Sequence, residues 1–145
     1  MVFKNDAQLK AFFMDKCKNA VASAEEKVHR IIDSCLHRFY DEWKPDQYKR
    51  TSQLLHSLVK SGVKPTVNGY EAEVYFDVNS LNYTTGSWDG ETVLGVVMES
   101  SMPHGGYMTG TAIWNESKIM LGDIWDLLEK ELKAQGIPIK RGQTN

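Results

Sequence analysis

Residues 6–44 read DAQLKAFFMDKCKNAVASAEEKVHRIIDSCLHRFYDEWK. Apolar side chains recur at Leu9, Phe13, Cys17, Ala20, Ala24, Val28, Ile31, Cys35, Phe39 and Trp43. Steps of three and four define one amphipathic helix. No Pro or Gly interrupts it, Asp6 is placed to cap it, and Pro45 closes it, because a residue before proline is pushed out of the helical region. Such a helix is about 58 Å long. A compact domain of this size has a radius of gyration of only about 15 Å. The helix is therefore expected to overhang its domain, bend, or pack against neighbouring copies. That mismatch points to an assembly subunit before it points to an active site.

The 145 residues are expected to form a single domain with a real core, at 41% hydrophobic and 25% charged residues. A formal charge of −2 argues against nucleic-acid binding by bulk electrostatics. No apolar run approaches a membrane span, so no membrane partner is expected. The first six residues lack the apolar core and cleavage site of a signal peptide, which places the chain in cytosol, at least at first. Cys17 and Cys35 lie five helical turns apart, about 27 Å. That separation excludes a disulfide between them within one helix. Both read as small core hydrophobes, because no Cys-x-x-Cys spacing suggests a metal site.

After the long helix, Pro45-Asp46 begins a turn. The stretch Gln47 to Leu58 is two-valued: Leu54, Leu55 and Leu58 suit a short helix, whereas Leu54, His56 and Leu58 suit a strand. Gly62 and Pro65 end it, and Asn68-Gly69 signals a tight turn. From Tyr70 to Val78 the chain alternates, with Ala72, Val74, Phe76 and Val78 on one face and Glu71, Glu73, Tyr75 and Asp77 on the other. This is the clearest strand, with one face on a core. A polar-aromatic loop follows from Asn79 to Asp89. Asp89 is placed to cap a short helix carrying Val93, Leu94, Val97 and Met98, with the β-branched valines leaving a strand open. Residues 100–110 form a loop or tight turn, and Thr109 to Trp114 suggests a further strand. A last helix over about 116–135 takes Asn115 as its N-cap. Ile119, Met120, Ile124, Trp125, Leu127, Leu128 and Leu132 make its apolar side, and Gly136 stops it. Ile137-Pro138-Ile139 suits a short edge strand, and residues 140–145 a mobile tail.

Catalytic signals are sparse. His29 and His37 are eight positions apart, too far to hold one ion together, and His104 beside Gly105-Gly106 reads as a loop histidine next to turn glycines. No phosphate-binding loop or nucleophile elbow occurs. Glu129 and Glu131, with Glu116 and Asp126, read as the solvated face of the last helix. Lys44, Lys49, Arg50, Lys60 and Lys64, with Tyr48, form a basic cluster in sequence that suits phosphates or a subunit contact, without a recognition or stacking motif.

One combination carries a resemblance. Pro45, Tyr48, Arg50, Thr51, Leu54 and Ser57 follow a long helix ending in aromatics; then come the alternating strand, His104-Gly105-Gly106, and a closing helix after Trp114-Asn115. From Asp6 to Ile139 this resembles the head–tail joining or tail-completion proteins of long-tailed bacteriophages, often labelled minor capsid or neck proteins. The commoner family form has Gly after the Arg-Thr pair, where this chain has Ser52.

The resemblance implies an α+β subunit: a long N-terminal helix, a small mostly antiparallel sheet and a C-terminal helix packed on it. It implies no enzyme activity and no cofactor. It implies a virion protein, assembled from host cytoplasm into a homo-oligomeric neck ring of six copies between portal connector and tail tube. Head-completion and tail-terminator or tail-tube proteins would be its neighbours, with passing contact to channel DNA. Tail terminator and head-closure (stopper) proteins are the nearest alternatives; a DNA-associated module or a small enzyme using His104 follow.

On that reading Phe12, Phe39, Tyr40 and Trp43 are candidate contacts to an adjacent subunit. Tyr83 and Trp88, and the loop around His104 and Tyr107, would reach a neighbouring ring or the lumen. Arg50 is expected to bridge a carboxylate or carbonyls at the turn after the helix.

Overall fold

A computed structural model gives an α+β fold with a long N-terminal helix, small antiparallel strand pairs and C-terminal helices. The structure describes residues 2–42, 53–81, 91, 113–140 and 142. Helix α1 is Asp6–Glu42, α2 is Gln53–Ser57, and strands β1 to β4 are Leu58–Lys60, Lys64–Pro65, Tyr70–Glu71 and Val74–Phe76. A 3-10 turn at Val78–Ser80 follows, and the C-terminal helices are α3 (Ile113–Leu121) and α4 (Ile124–Ala134).

The long helix forms as its periodicity requires, and at 37 residues it is about 55 Å long. Its start differs from expectation. Asn5, not Asp6, is the cap: its Oδ1 accepts the Gln8 backbone N–H at 2.9 Å. The Gln8 side chain reaches back to accept the Lys4 backbone N–H at 2.9 Å, so two otherwise unpaired donors are satisfied. Asp6 instead places negative charge in the first turn, where the helix dipole favours it.

The chain divides into two compact units: Met1–Lys27, Ser61–Glu73 and Gly122–Asn145 in the first, Val28–Lys60 and Val74–Leu121 in the second. The second holds the larger apolar core, built from Ile32, Cys35, Leu36, Leu54, Leu58, Leu81 and Ile113. Val28, Phe39, Leu55, Val74 and Phe76 pack around it. On α1 the buried stripe here is Ile32, Cys35 and Leu36, an arc about 100° wide. The expected line through Ile31 and Phe39 lies partly exposed along its flanks.

Within that second unit the two-valued segment resolves as a helix that becomes a strand at Leu58. Leu54 and Leu58 are both buried, and Ser57 Oγ satisfies itself on the Leu54 carbonyl at 2.7 Å. Strands β1 and β4 pair antiparallel, with Val59 opposite Tyr75. Asp77 N–H donates to the Ser57 carbonyl at 2.7 Å and lengthens the ladder. There the alternation stops. Asp77 accepts the Asn79 N–H and starts the 3-10 turn, which leaves Val78 exposed instead of in the core.

In the first unit, β2 and β3 form the hairpin that Asn68-Gly69 announces, closed by Thr66 N–H on the Gly69 carbonyl at 2.8 Å. The single strand expected over 70–78 is thus two short strands, and Ala72-Glu73 belongs to neither. Gly62 turns the chain at φ 74°. Ser61 Oγ accepts the Glu73 N–H at 2.9 Å beside that turn.

The C-terminal region departs furthest from expectation. Ile113 and Trp114 are helical, not strand, and Asn115 lies inside α3 rather than capping it. The one expected helix is two, separated where Gly122 takes φ 65° and Asp123 caps α4 by accepting the Trp125 N–H at 2.8 Å. Gly136 ends α4 as expected, at φ 83°. Ile137 N–H reaches the Leu132 carbonyl (3.1 Å) and Gly136 N–H the Lys133 carbonyl (2.9 Å), the paired bonds of a Schellman cap. Residues 137–139 form no strand.

Candidate functional site

Two side-chain clusters fix the C-terminal helices onto α1, one in each unit. In the first unit Glu131 of α4 is buried, 4% exposed, although its sequence places it among charged neighbours. Ser23 Oγ donates to Glu131 Oε2 at 2.5 Å, and Lys27 Nζ donates to Oε1. The Lys27 hydrogen bond, then that of Ser23, holds the Glu131 carboxyl below its ordinary 4.5, outweighing burial, which pushes it up. Ala20 and Ala24, both buried, lie on the same face of α1 as Ser23 and Lys27.

In the second unit Arg38 Nη1 donates to Glu116 Oε1 at 2.8 Å. Cys35 Sγ lies 3.6 Å from Met120 Sδ, and Arg38 Nη2 lies 3.8 Å from the same sulfur. Ser117 is fully buried, and its Oγ has no hydrogen-bond partner among the described residues. Glu116 and Glu131 are therefore anchors, where a solvated acidic face was expected. Glu129 is half-buried and pairs with Lys133 on its own helix at 2.5 Å.

The apolar side chains freed by the Gly122 break face outward. Ile119 is 81% exposed and Trp125 68%, with Ile124 also exposed, whereas Met120 is part-exposed with its sulfur on Cys35. In α3, Ile119 falls opposite the buried Ile113 and Ser117 on the helix wheel. The expected apolar side survives only in part, at half-buried Leu127, Leu128 and Leu132. A second exposed apolar group lies at the start of α1. Leu9 and Phe13 are 36% and 39% exposed. Phe12 meets Phe3 at a tilt of 54° with centroids 5.2 Å apart and Phe13 edge-on at 5.7 Å. Lys16 Nζ stands 5.5 Å from the Phe12 ring centroid.

Of the residues singled out from sequence, Phe12 is half-buried in that cluster and Phe39 packs on its own unit's core. Leu54 and Ser57 are buried, and Trp114 is exposed under Lys118 Nζ at 5.3 Å. Pro45, Tyr48, Arg50, Thr51, Trp43, Tyr83, Trp88, His104, Gly105, Gly106, Tyr107 and the Tyr40 side chain lie outside the described residues. His37 is tied to its own helix, with Nδ1 2.8 Å from the Asp33 carbonyl. Cys17 and Cys35 are free thiols. Among the described residues no group of three His, Cys, Asp or Glu is arranged to hold a metal ion. None of the described helices is long and apolar enough to cross a membrane.

No curated protein and no solved structure matches the chain. The YomN family model matches residues 5–140, and the chain belongs to that phage-derived family.

Proposed function

We propose, from membership of a phage-derived family, that the chain is a structural subunit of the phage particle. Its place in this reading is the neck, as a ring-forming tail-completion or head–tail joining protein between portal connector and tail tube. The observation that carries the reading is the large apolar side chains left exposed on well-formed helices, Ile119 and Trp125 above all. Contiguous exposed apolar surface marks protein contacts, and in this reading these side chains contribute to it. A closed ring needs two different surfaces on each subunit, because a head-to-tail rotation brings unlike patches together. The partners in this reading are further copies of the chain and the neighbouring head-completion and tail-terminator or tail-tube proteins.

The test is cryo-electron microscopy of particles from the phage that encodes the chain, with mass spectrometry of the same preparation. A ring of this chain at the neck is the expected result, and its level along the axis separates tail completion from terminator and stopper roles. Density elsewhere in the particle would move the assignment within the structural class. Absence from purified particles would overturn it.

A further inference from the structure

The first unit is short of core. Its fully buried hydrophobics among the described residues are two alanines, Ala20 and Ala24. Yet α1 carries Leu9, Phe12, Phe13, Met14 and Cys17 ahead of them, and no described residue from 6 to 19 is buried. Leu9 and Phe13 lie within about 40° of each other on the helix wheel, in line with Ala20. The stripe therefore continues past the part of α1 that Glu131 and Ser23 secure, and it runs out of cover. Small units with too little core are commonly completed by association.

Charge indicates what covers it. Around this stripe stand Lys4, Lys10, Lys16 and Lys18 against Asp6 and Asp15, a net +2. The exposed start of α4 has the opposite balance: Ile124 and Trp125 lie between Asp123 and Asp126, and Glu129, Lys130 and Lys133 follow, a net −1. An indole exposed beside carboxylates suits a surface of phenyl rings and ammonium groups. The rings bury against it, and a lysine finds either the indole face or a carboxylate.

We propose that the N-terminal turns of α1 in one copy dock on the Ile124–Trp125 start of α4 in a second copy. The contact is heterologous, since unlike patches meet, so it propagates from copy to copy. It deepens the ring reading given above and rests on that reading for closure.

The test uses the full chain in solution, by sedimentation equilibrium over increasing protein concentration. The wild type is expected to associate by about 0.5 mM, well above the micromolar range of small specific interfaces. Trp125→Ala should weaken association about tenfold or more, as loss of a central tryptophan does, with an unchanged circular dichroism spectrum and melting temperature. A Lys10→Glu/Lys16→Glu chain and an Asp126→Lys chain should each associate more weakly than wild type. Mixed together they should recover a heterodimer, because only one of the two unlike contacts is then matched in charge. A monomeric wild type at the highest concentration, association unmoved by these variants, or no recovery on mixing would each overturn the contact. Mass spectrometry of particles reads the neck assignment separately, so either idea fails without the other.

Discussion

The Ser23 hydroxyl and the Glu131 carboxylate meet at 2.5 Å across more than a hundred residues of sequence, joining α1 to α4. Lys27 takes the other carboxylate oxygen. A carboxylate this deeply buried has exchanged water for two donors, and removing it strands both. The Lys27 side chain is 44% exposed, so its ammonium recovers much of its hydration. Glu131→Ala should therefore cost about 1–3 kcal/mol, nearer the lower figure. Ser23→Ala with Glu131→Ala should cost little more than Glu131→Ala alone, since the pair acts as one contact. Urea midpoints near neutral pH measure both.

The same carboxylate gives the fold an acid limb. Its folded pKa lies below the ordinary 4.5, through Lys27 first and Ser23 second. The unfolded chain therefore takes up this proton at a higher pH than the folded chain. The contribution of Glu131 is complete above the unfolded value and is lost as pH falls through the folded one. Stability should decline below 4.5, and Glu131→Gln should flatten that decline while lowering the plateau above it. Denaturant midpoints taken from neutral pH down to about pH 3 test this. An unchanged slope in the variant would remove Glu131 from the account.

What the sequence made legible follows from physical range. The α1 helix, the Asn68-Gly69 hairpin and the Gly136 stop are local, and each has a residue-level cause. The Gly122-Asp123 break was equally local: a glycine where a helix ends and a capping aspartate right after it. Apolar residues on both sides of it fit one continuous stripe, and that continuity hid the break. Taken as one stripe, the periodicity predicts Ile119 and Trp125 inside and Glu131 outside. Burial of Glu131 itself is not local, because it depends on Ser23 and Lys27 arriving from α1. The choice of Ile32 and Leu36 over Ile31 and Phe39 is similar: α2, β1 and α3 supply core partners on a wide arc, and periodicity alone does not fix its centre.

Leu36 and Ile119 make a direct contrast. Both are large aliphatics on helices of the second unit; Leu36 is fully buried and Ile119 is 81% exposed. Leu36→Ala should cost about 2–5 kcal/mol, from lost transfer energy and the cavity left among Cys35, Leu54 and Leu58. Ile119→Ala should stay within about 0.5 kcal/mol. Thermal melts of the two variants decide it, and similar losses would mean that Ile119 is covered within the chain.

Gly136 stands at φ 83°, where an added Cβ meets no neighbouring atom within 4 Å. The cost of a side chain there is purely backbone: the left-handed region crowds Cβ against the following carbonyl. Gly136→Ala should destabilise by about 1 kcal/mol. Gly136→Asn should recover part of that, because asparagine enters this region more readily. A cavity or clash mechanism would instead rank the variants by size, with asparagine the worse. The cap also holds Ile137 in place through its bond to the Leu132 carbonyl. Hydrogen exchange at the Ile137 amide should therefore quicken in Gly136→Ala while the Asp77 amide, bonded to Ser57 in the other unit, keeps its rate. Equal acceleration at both would mean that the substitution acts through global unfolding and not through the cap.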